Sequence, residues 1–192
     1  MPRAAELGHD CAMNIRLADP DGDAEAVAAI YRPAVLGSIA SFEEVPPDAR
    51  EMAARMRAVL ERTPWLVAET SRGVIGYAYA ARHRERPGYR WSVDISVYVA
   101  DGQQGRGVGR RLYDELLALL GRQRFVNVYA GVALPNPASI ALHERIGMRR
   151  IGVYERVGFK FGAWHDVAWY GMRLAEPGVP PEEPIPLPDF PG

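Results

Sequence analysis

Trp91-Ser92-Val93-Asp94-Ile95-Ser96-Val97-Tyr98-Val99 runs through Gln104-Gly105-Arg106-Gly107-Val108-Gly109 into Arg110-Arg111-Leu112-Tyr113-Asp114-Glu115-Leu116-Leu117-Ala118-Leu119-Leu120. The first segment is rich in β-branched and aromatic residues and reads as a strand. In the last, Leu112, Leu116, Leu119 and Leu120 recur at helical spacing. Glycines therefore stand where a strand turns into a helix. Glycine permits positive φ and close approach of the backbone to a ligand. The first N–H groups of the following helix lack intrahelical acceptors. Together they predict an anion cradle suited to a phosphate or pyrophosphate. No Lys-Ser/Thr follows the glycines, which excludes a Walker loop. The spacing is not Gly-x-Gly-x-x-Gly, and no acidic residue closes a following strand, which excludes a dinucleotide fingerprint. Taken alone, the six residues are also compatible with an ordinary glycine-rich turn.

The chain has 192 residues, enough for one domain with a substantial core. A hydrophobic fraction of 48% and a net charge of −1 describe an ordinary soluble chain, with nothing global that points to nucleic acid. No apolar run approaches membrane-spanning length and no signal-peptide core is present, so a cytoplasmic enzyme without a membrane partner is expected. The single cysteine, Cys11, allows neither an internal disulfide nor a cysteine-based metal site, and no metal is expected.

In chain order, residues 1–12 lack periodicity and read as a disordered extension. Asn14–Ala18 is a short strand. Asp21 or Asp23 is expected to cap a helix carrying Val27, Ile30, Tyr31 and Leu36, and Pro33 to kink or end it. An irregular loop spans Ser38–Pro47, and Asp48 caps a second helix that stops at Thr63-Pro64. Trp65–Glu69 and Val74–Ala80 form a hairpin. A polar loop covers Arg82–Gly88. After the long helix come a strand at Asn127–Ala133 and a short helix with Asn136 as cap and Pro137 at its first position. Gly147 closes that helix, and strands follow near Arg149–Arg156 and Asp166–Arg173. The domain is placed at 13–175, with a Pro-rich tail over 176–192. The order β-α-α-β-β-β-α-β-α-β-β predicts an α/β (α+β) fold: a mixed sheet with helices on both faces.

The loop resembles the Gln/Arg-x-x-Gly-x-Gly/Ala pyrophosphate loop of the GNAT acetyltransferases, and the element order resembles their fold. A second signature also appears: Asn136-Pro-Ala-Ser-Ile-Ala-Leu-His-Glu-Arg-Ile-Gly-Met148 is similar to their Asn-x-x-(Ala/Ser) helix, with His143 where Tyr usually stands. Phe42-Glu43, Pro64–Glu69, Gly76–Ala80, Tyr89–Trp91, Leu134–Asn136 and the Val157–Val167 run narrow the match. They resemble the phosphinothricin N-acetyltransferases and their relatives that act on methionine sulfoximine and methionine sulfone. One departure is Asp94, where that family usually has Glu.

The resemblance implies acetyl transfer from acetyl-CoA, as co-substrate, to the α-amino group of a small amino acid by direct attack in a ternary complex. Such a reaction needs a group to take the ammonium proton and another to meet the thiolate. By resemblance Asp94 and His143 are catalytic, with base and acid unassigned between them. Val97, Tyr98 and Val99 would offer backbone to the oxyanion and the pantetheine. With the loop residues Gln104–Gly109, Asn136 and Ser139 would hold the cofactor; Asn136 would serve equally as a plain helix cap. Phe42, Glu43, Arg84, Arg86 and Lys160 are expected around the substrate, whose acidic groups suit Arg forks. Trp164-His165-Asp166 lacks metal-ligand spacing and reads as a fold or dimer contact. The family implies a homodimer. Another acetyl acceptor (an amino acid, amine or peptide amino terminus) and a non-catalytic CoA-binding module are the competing readings.

Overall fold

The computed structural model describes residues 13–191. The expected extension over 1–12, with Cys11, lies outside the described residues. Eleven main elements follow in the expected order: β1 (Asn14–Leu17), α1 (Pro20–Gly37), α2 (Ala49–Leu60), β2 (Trp65–Thr70), β3 (Gly73–Arg82), β4 (Ser92–Val99), α3 (Val108–Arg122), β5 (Asn127–Ala133), α4 (Pro137–Arg145), β6 (Arg149–Lys160) and β7 (Ala163–Arg173). They build a seven-stranded sheet in the order β1-β2-β3-β4-β5-β7-β6. Among the described residues, β4 and β5 are the one parallel pair. That step is the one crossed by the long helix α3, as a parallel crossover requires.

Side chains alternate across β4 and sort the molecule into two layers. Val93, Ile95, Val97 and Val99 join Leu112, Leu116 and Leu120 of α3 in one core, against which Ile140 and Leu142 of α4 also pack. Tyr98 packs on the opposite face, in the core that α1 and α2 build with Val27, Tyr31, Met52, Met56, Trp65 and Tyr77. Gly76 lets α3 sit close, since a Cβ there would come within 3.1 Å of a Val108 methyl.

Several local details depart from expectation. Asp19, not Asp21 or Asp23, caps α1 by accepting from the Asp21 amide, with Pro20 in the first helical position. Asp23 is buried and bridges instead to both Arg16 terminal nitrogens at 2.6 and 2.8 Å. Pro33 does not end α1, which continues to Gly37. Its ring lies on the exposed side, while Tyr31 and Val35 anchor the helix to the core on either side. β6 and β7 are longer than expected and meet in a two-residue turn, Phe161-Gly162, both at positive φ. The Pro-rich segment is docked over part of its length. Ile185 N–H donates to the Gln123 carbonyl at 2.9 Å, and Gln123 Nε2 returns a bond to the Ile185 carbonyl at 2.8 Å. Proline spacing hides such pairing, which depends on where Gln123 ends up.

The Arg16 guanidinium holds the Asp23 carboxyl below its ordinary range. A lowered folded pKa contributes stability that is full above the unfolded value and is lost as pH falls through the folded one. Acid unfolding followed by circular dichroism should therefore show a limb below about pH 4, the ordinary Asp range, and Asp23→Asn should flatten it.

Candidate active site

The β4–β5 ladder ends at the pair Asp94–Tyr129. Beyond it the two strands diverge, and from Ile95 to Val99 the edge of β4 towards β5 carries no strand. A cleft of about 400 Å³ opens in this gap. Its walls are Ile95–Val99, the glycine loop, Gly131–Ala133 and the start of α4. The expected cofactor residues Val97, Tyr98, Val99, Gln104, Gly105, Gly107, Val108, Gly109, Asn136 and Ser139 all border it.

Gly105 and Gly107 have φ of 75° and 81°, and a Cβ on either would meet nothing of the chain within 4 Å. Gly107 is the cap residue of α3 and supplies no side chain to its first N–H groups. The open space in front of a helix start with uncapped donors is what a pyrophosphate needs, so these residues fit that group. Gln104 faces inward to the loop rather than outward: its amide bonds the Val99 carbonyl, Asp101 and the Gly102 N–H. Arg106 is exposed and lies outside the cleft wall, because the turn at Gly105 swings it away; Arg110, one helical turn on, borders the cleft in its place.

His143 is buried in the wall of this cleft, on the α3 side of the sheet, between Tyr113 and Tyr170. Its Nδ1 lies 2.7 Å from the Ser139 carbonyl, which assigns the ring proton to Nδ1. Nε2 then accepts from the Tyr113 hydroxyl at 3.2 Å. Burial lowers the imidazole pKa and raises that of Tyr113, so both are neutral near pH 7. Nothing in the spacing of Tyr113 within the sequence separates it from a core residue. Asn136 Oδ1 caps α4 through the Ser139 N–H, and its Nδ2 has no partner within the described residues.

Asp94 lies on the opposite face, with Ser96 and Tyr98, so the two expected catalytic residues are not adjacent. Asp94 Oδ1 is 2.6 Å from Nδ1 of His83. Burial raises the Asp94 carboxyl pKa, against a lowering by His83. His83 escaped the sequence reading, which treated 82–88 as a polar loop. The register Ala81–Asp94 and Arg82–Val93 places His83 beside Ser92, diagonal to Asp94 on one face.

The expected substrate residues divide. Arg84 and Arg86 stand exposed in the loop beside His83, with Arg84 donating to the His83 carbonyl. Phe42 lies flat on Gly158, where a Cβ would meet its ring at 2.3 Å. Glu43 is taken up by Arg55 at 2.7 and 3.0 Å and by the Tyr31 hydroxyl, and borders a second, aromatic cavity with Trp65, Tyr77 and Tyr79. Lys160 corrects the expectation outright. It is buried, and its ammonium donates to the carbonyls of Val35, Ser38 and Ser41 at 2.6, 3.0 and 2.6 Å, leaving no proton for a substrate. In Trp164-His165-Asp166, Asp166 accepts from the Arg156 N–H and His165 bonds the Lys160 carbonyl, bracing the hairpin.

Residues 15–169 match the acetyltransferase (GNAT) domain model. The chain is 44% identical over 158 residues to the phosphinothricin N-acetyltransferase of Alcaligenes faecalis, covering 81% of this chain and 80% of that protein. It is 36% identical to the L-methionine sulfoximine/L-methionine sulfone acetyltransferase of Salmonella typhimurium, over 88% of this chain and 98% of that one. A phosphinothricin acetyltransferase of Sinorhizobium meliloti, solved with acetyl-CoA, superposes with a TM-score of 0.82 at 36% identity, covering 89% of this chain and 92% of that one.

Proposed function

The chain belongs to the GNAT acetyltransferases, and from that premise we propose that it moves acetyl from acetyl-CoA to the α-amino group of phosphinothricin-, methionine sulfoximine- or methionine sulfone-like amino acids. The named relatives support the acceptor class. The observation that carries the chemistry is the cleft at the β4–β5 divergence, with proton-handling pairs on the two faces of the sheet beside it. On one face stands Asp94 with His83; on the other stands His143 with Tyr113.

Acetyl-CoA supplies a thioester, and the glycine loop with the start of α3 would hold its pyrophosphate. The β4 edge from Val97 to Val99 would pair the pantetheine amides and offer an N–H to the carbonyl oxygen as charge develops there. Asn136 Nδ2 adds a donor. The Asp94 face takes the proton of the incoming ammonium, since it opens away from the helix that carries the loop. The Tyr113–His143 pair meets the departing thiolate: burial keeps the phenol protonated, and its hydroxyl can turn from Nε2 to sulfur. Arg84 and Arg86 would pair the acidic groups of the acceptor. The acceptor is thus attacked directly, without an acetyl-enzyme.

Initial rates against both substrates test this order. Intersecting lines, with the acetyl group found on the α-nitrogen of the product by NMR, are expected. Parallel lines would contradict direct attack. His143→Ala should lower kcat by about 10²-fold, the usual size of a general acid–base contribution, with a KM for acetyl-CoA nearly unchanged. A kcat within a factor of three of the parent would remove His143 from the reaction.

The outer part of the β6–β7 hairpin exposes Tyr154, Val157, Phe159, Phe161 and Trp164. That much apolar surface on one hairpin supports a homodimer through it. Light scattering would return the monomer mass if this is wrong. Among the described residues, no helix is long and apolar enough to cross a membrane. A cytoplasmic location agrees with the single cysteine of the chain.

A further inference from the structure

We propose that His83 is the residue that takes the proton from the acceptor ammonium, and that Asp94 acts through it as a positioning residue. This deepens the reading above and rests on it.

Four observations converge. Asp94 and Tyr129 are the last paired rung before β4 and β5 part, so whatever stands over them stands at the apex of the gap. His83 stands there, its ring 4.6 Å from that of Tyr129 and edge-on to Trp169 at 6.4 Å. Its Nδ1 is fixed on the Asp94 carboxylate at 2.6 Å, while Nε2 has no partner within the described residues. A carboxylate that accepts from Nδ1–H selects the tautomer whose Nε2 is the free base, and stabilises the imidazolium once it forms. Finally, the Asp94 side chain is short, and one of its oxygens is already engaged by the imidazole. The ring extends that carboxylate's influence by its own width over the Tyr129 end of the ladder, and both side chains keep partial exposure, 16% for His83 and 29% for Asp94. The ionisable and charged groups around the ring are Asp94 on β4, Tyr129 on β5, Tyr89 after the loop, and the Arg84 guanidinium next to it in the chain. Arg84 opposes a second positive charge there, and Asp94 offsets it.

The ammonium gives one proton to Nε2 of His83, forming imidazolium beside the Asp94 carboxylate. The freed nitrogen lone pair attacks the thioester carbon. The adduct gives its second nitrogen proton to water, the C–S bond breaks with its electron pair leaving on sulfur, the Tyr113 hydroxyl protonates the thiolate and regains a proton from water, and His83 returns the first proton to water.

The test uses the full chain with His83→Asn, which keeps a donor to Asp94 without a base, and His83→Phe, which keeps the ring against Tyr129. Both should lower kcat/KM for the acceptor by about 10²-fold, with acetyl-CoA KM and thermal stabilisation by CoA unchanged. His83→Ala should recover with added imidazole in a saturable way, a response that a packing role would not show. Asp94→Asn should be costly in the parent but add little further loss in the His83→Asn background, because the two act as one unit. If the parent is active and both ring variants keep its rate and pH profile, or imidazole rescues nothing, the assignment to His83 is overturned while the acetyltransferase reading stands. A parent inactive on every amino acid would overturn both.

Discussion

Replacing Gly107 by valine is expected to raise the KM for acetyl-CoA by about 10³-fold. Two costs add. Gly107 sits at φ 81°, which a β-branched residue adopts at roughly 1–3 kcal/mol. The new side chain would also fill the space in front of α3, where the chain leaves room beyond 4 Å. Each charge-assisted hydrogen bond from the loop to a phosphate that is lost costs about 1.5–3 kcal/mol more. The fold has little to lose beyond the first term, because no protein atom stands in the way. Thermal melting should therefore fall only by the strain, whereas the stabilisation conferred by CoA should vanish. A KM within threefold of the parent would show that the loop does not cradle the pyrophosphate.

Replacing Lys160 by methionine should destabilise the fold by about 3–5 kcal/mol, as expected when one partner of a buried charged network is removed. Methionine approximates the stem but strands three carbonyls, those of Val35, Ser38 and Ser41. Those carbonyls end α1 and open the loop that carries Phe42 and Glu43. For a domain of this size the melting temperature should drop by roughly 10 °C. Burial lowers the Lys160 pKa and the nearby Glu44 and Glu43 carboxylates oppose that shift, while the ammonium's hydrogen bonds go to the three carbonyls. A loss below about 1 kcal/mol would mean that water replaces the ammonium. Retained stability with a lost acceptor KM would return Lys160 to the substrate.

The elements that could be read from the sequence are those whose signals are local. The β-branched and aromatic run in Trp91–Val99, the leucine spacing after Gly109, and the caps Asp48 and Asn136 each depend on a few adjacent residues, and each is found in place. The fold followed because those elements leave one parallel crossover, over α3. What could not be read depends on distance along the chain. Lys160 reaches carbonyls 119 to 125 residues away, and no spacing rule connects them. The Asp94–His83 pair arises from a cross-strand diagonal, visible only once the register of β3 on β4 is known. The shortened acid at position 94 was the available hint that a partner completes it. Pro33 does not end α1 because it sits on the exposed side of a helix anchored by Tyr31 and Val35, a fact of packing rather than of propensity.

The two proton-handling pairs of the proposed reaction stand on different faces of the sheet, which residue types alone do not suggest. Asp94 and His143 were expected as one acid–base pair, but the sheet stands between them. Each instead has its own partner, and the divergence of β4 from β5 is the passage joining the two faces.

Release of thiol from acetyl-CoA, measured in parallel with phosphinothricin, methionine sulfoximine, methionine sulfone and the common amino acids, tests the central claim most directly. Rapid release with the first three, and little with the rest, is the expected result. No release with any of them, from a protein that CoA still stabilises, would contradict it and leave a CoA-binding module.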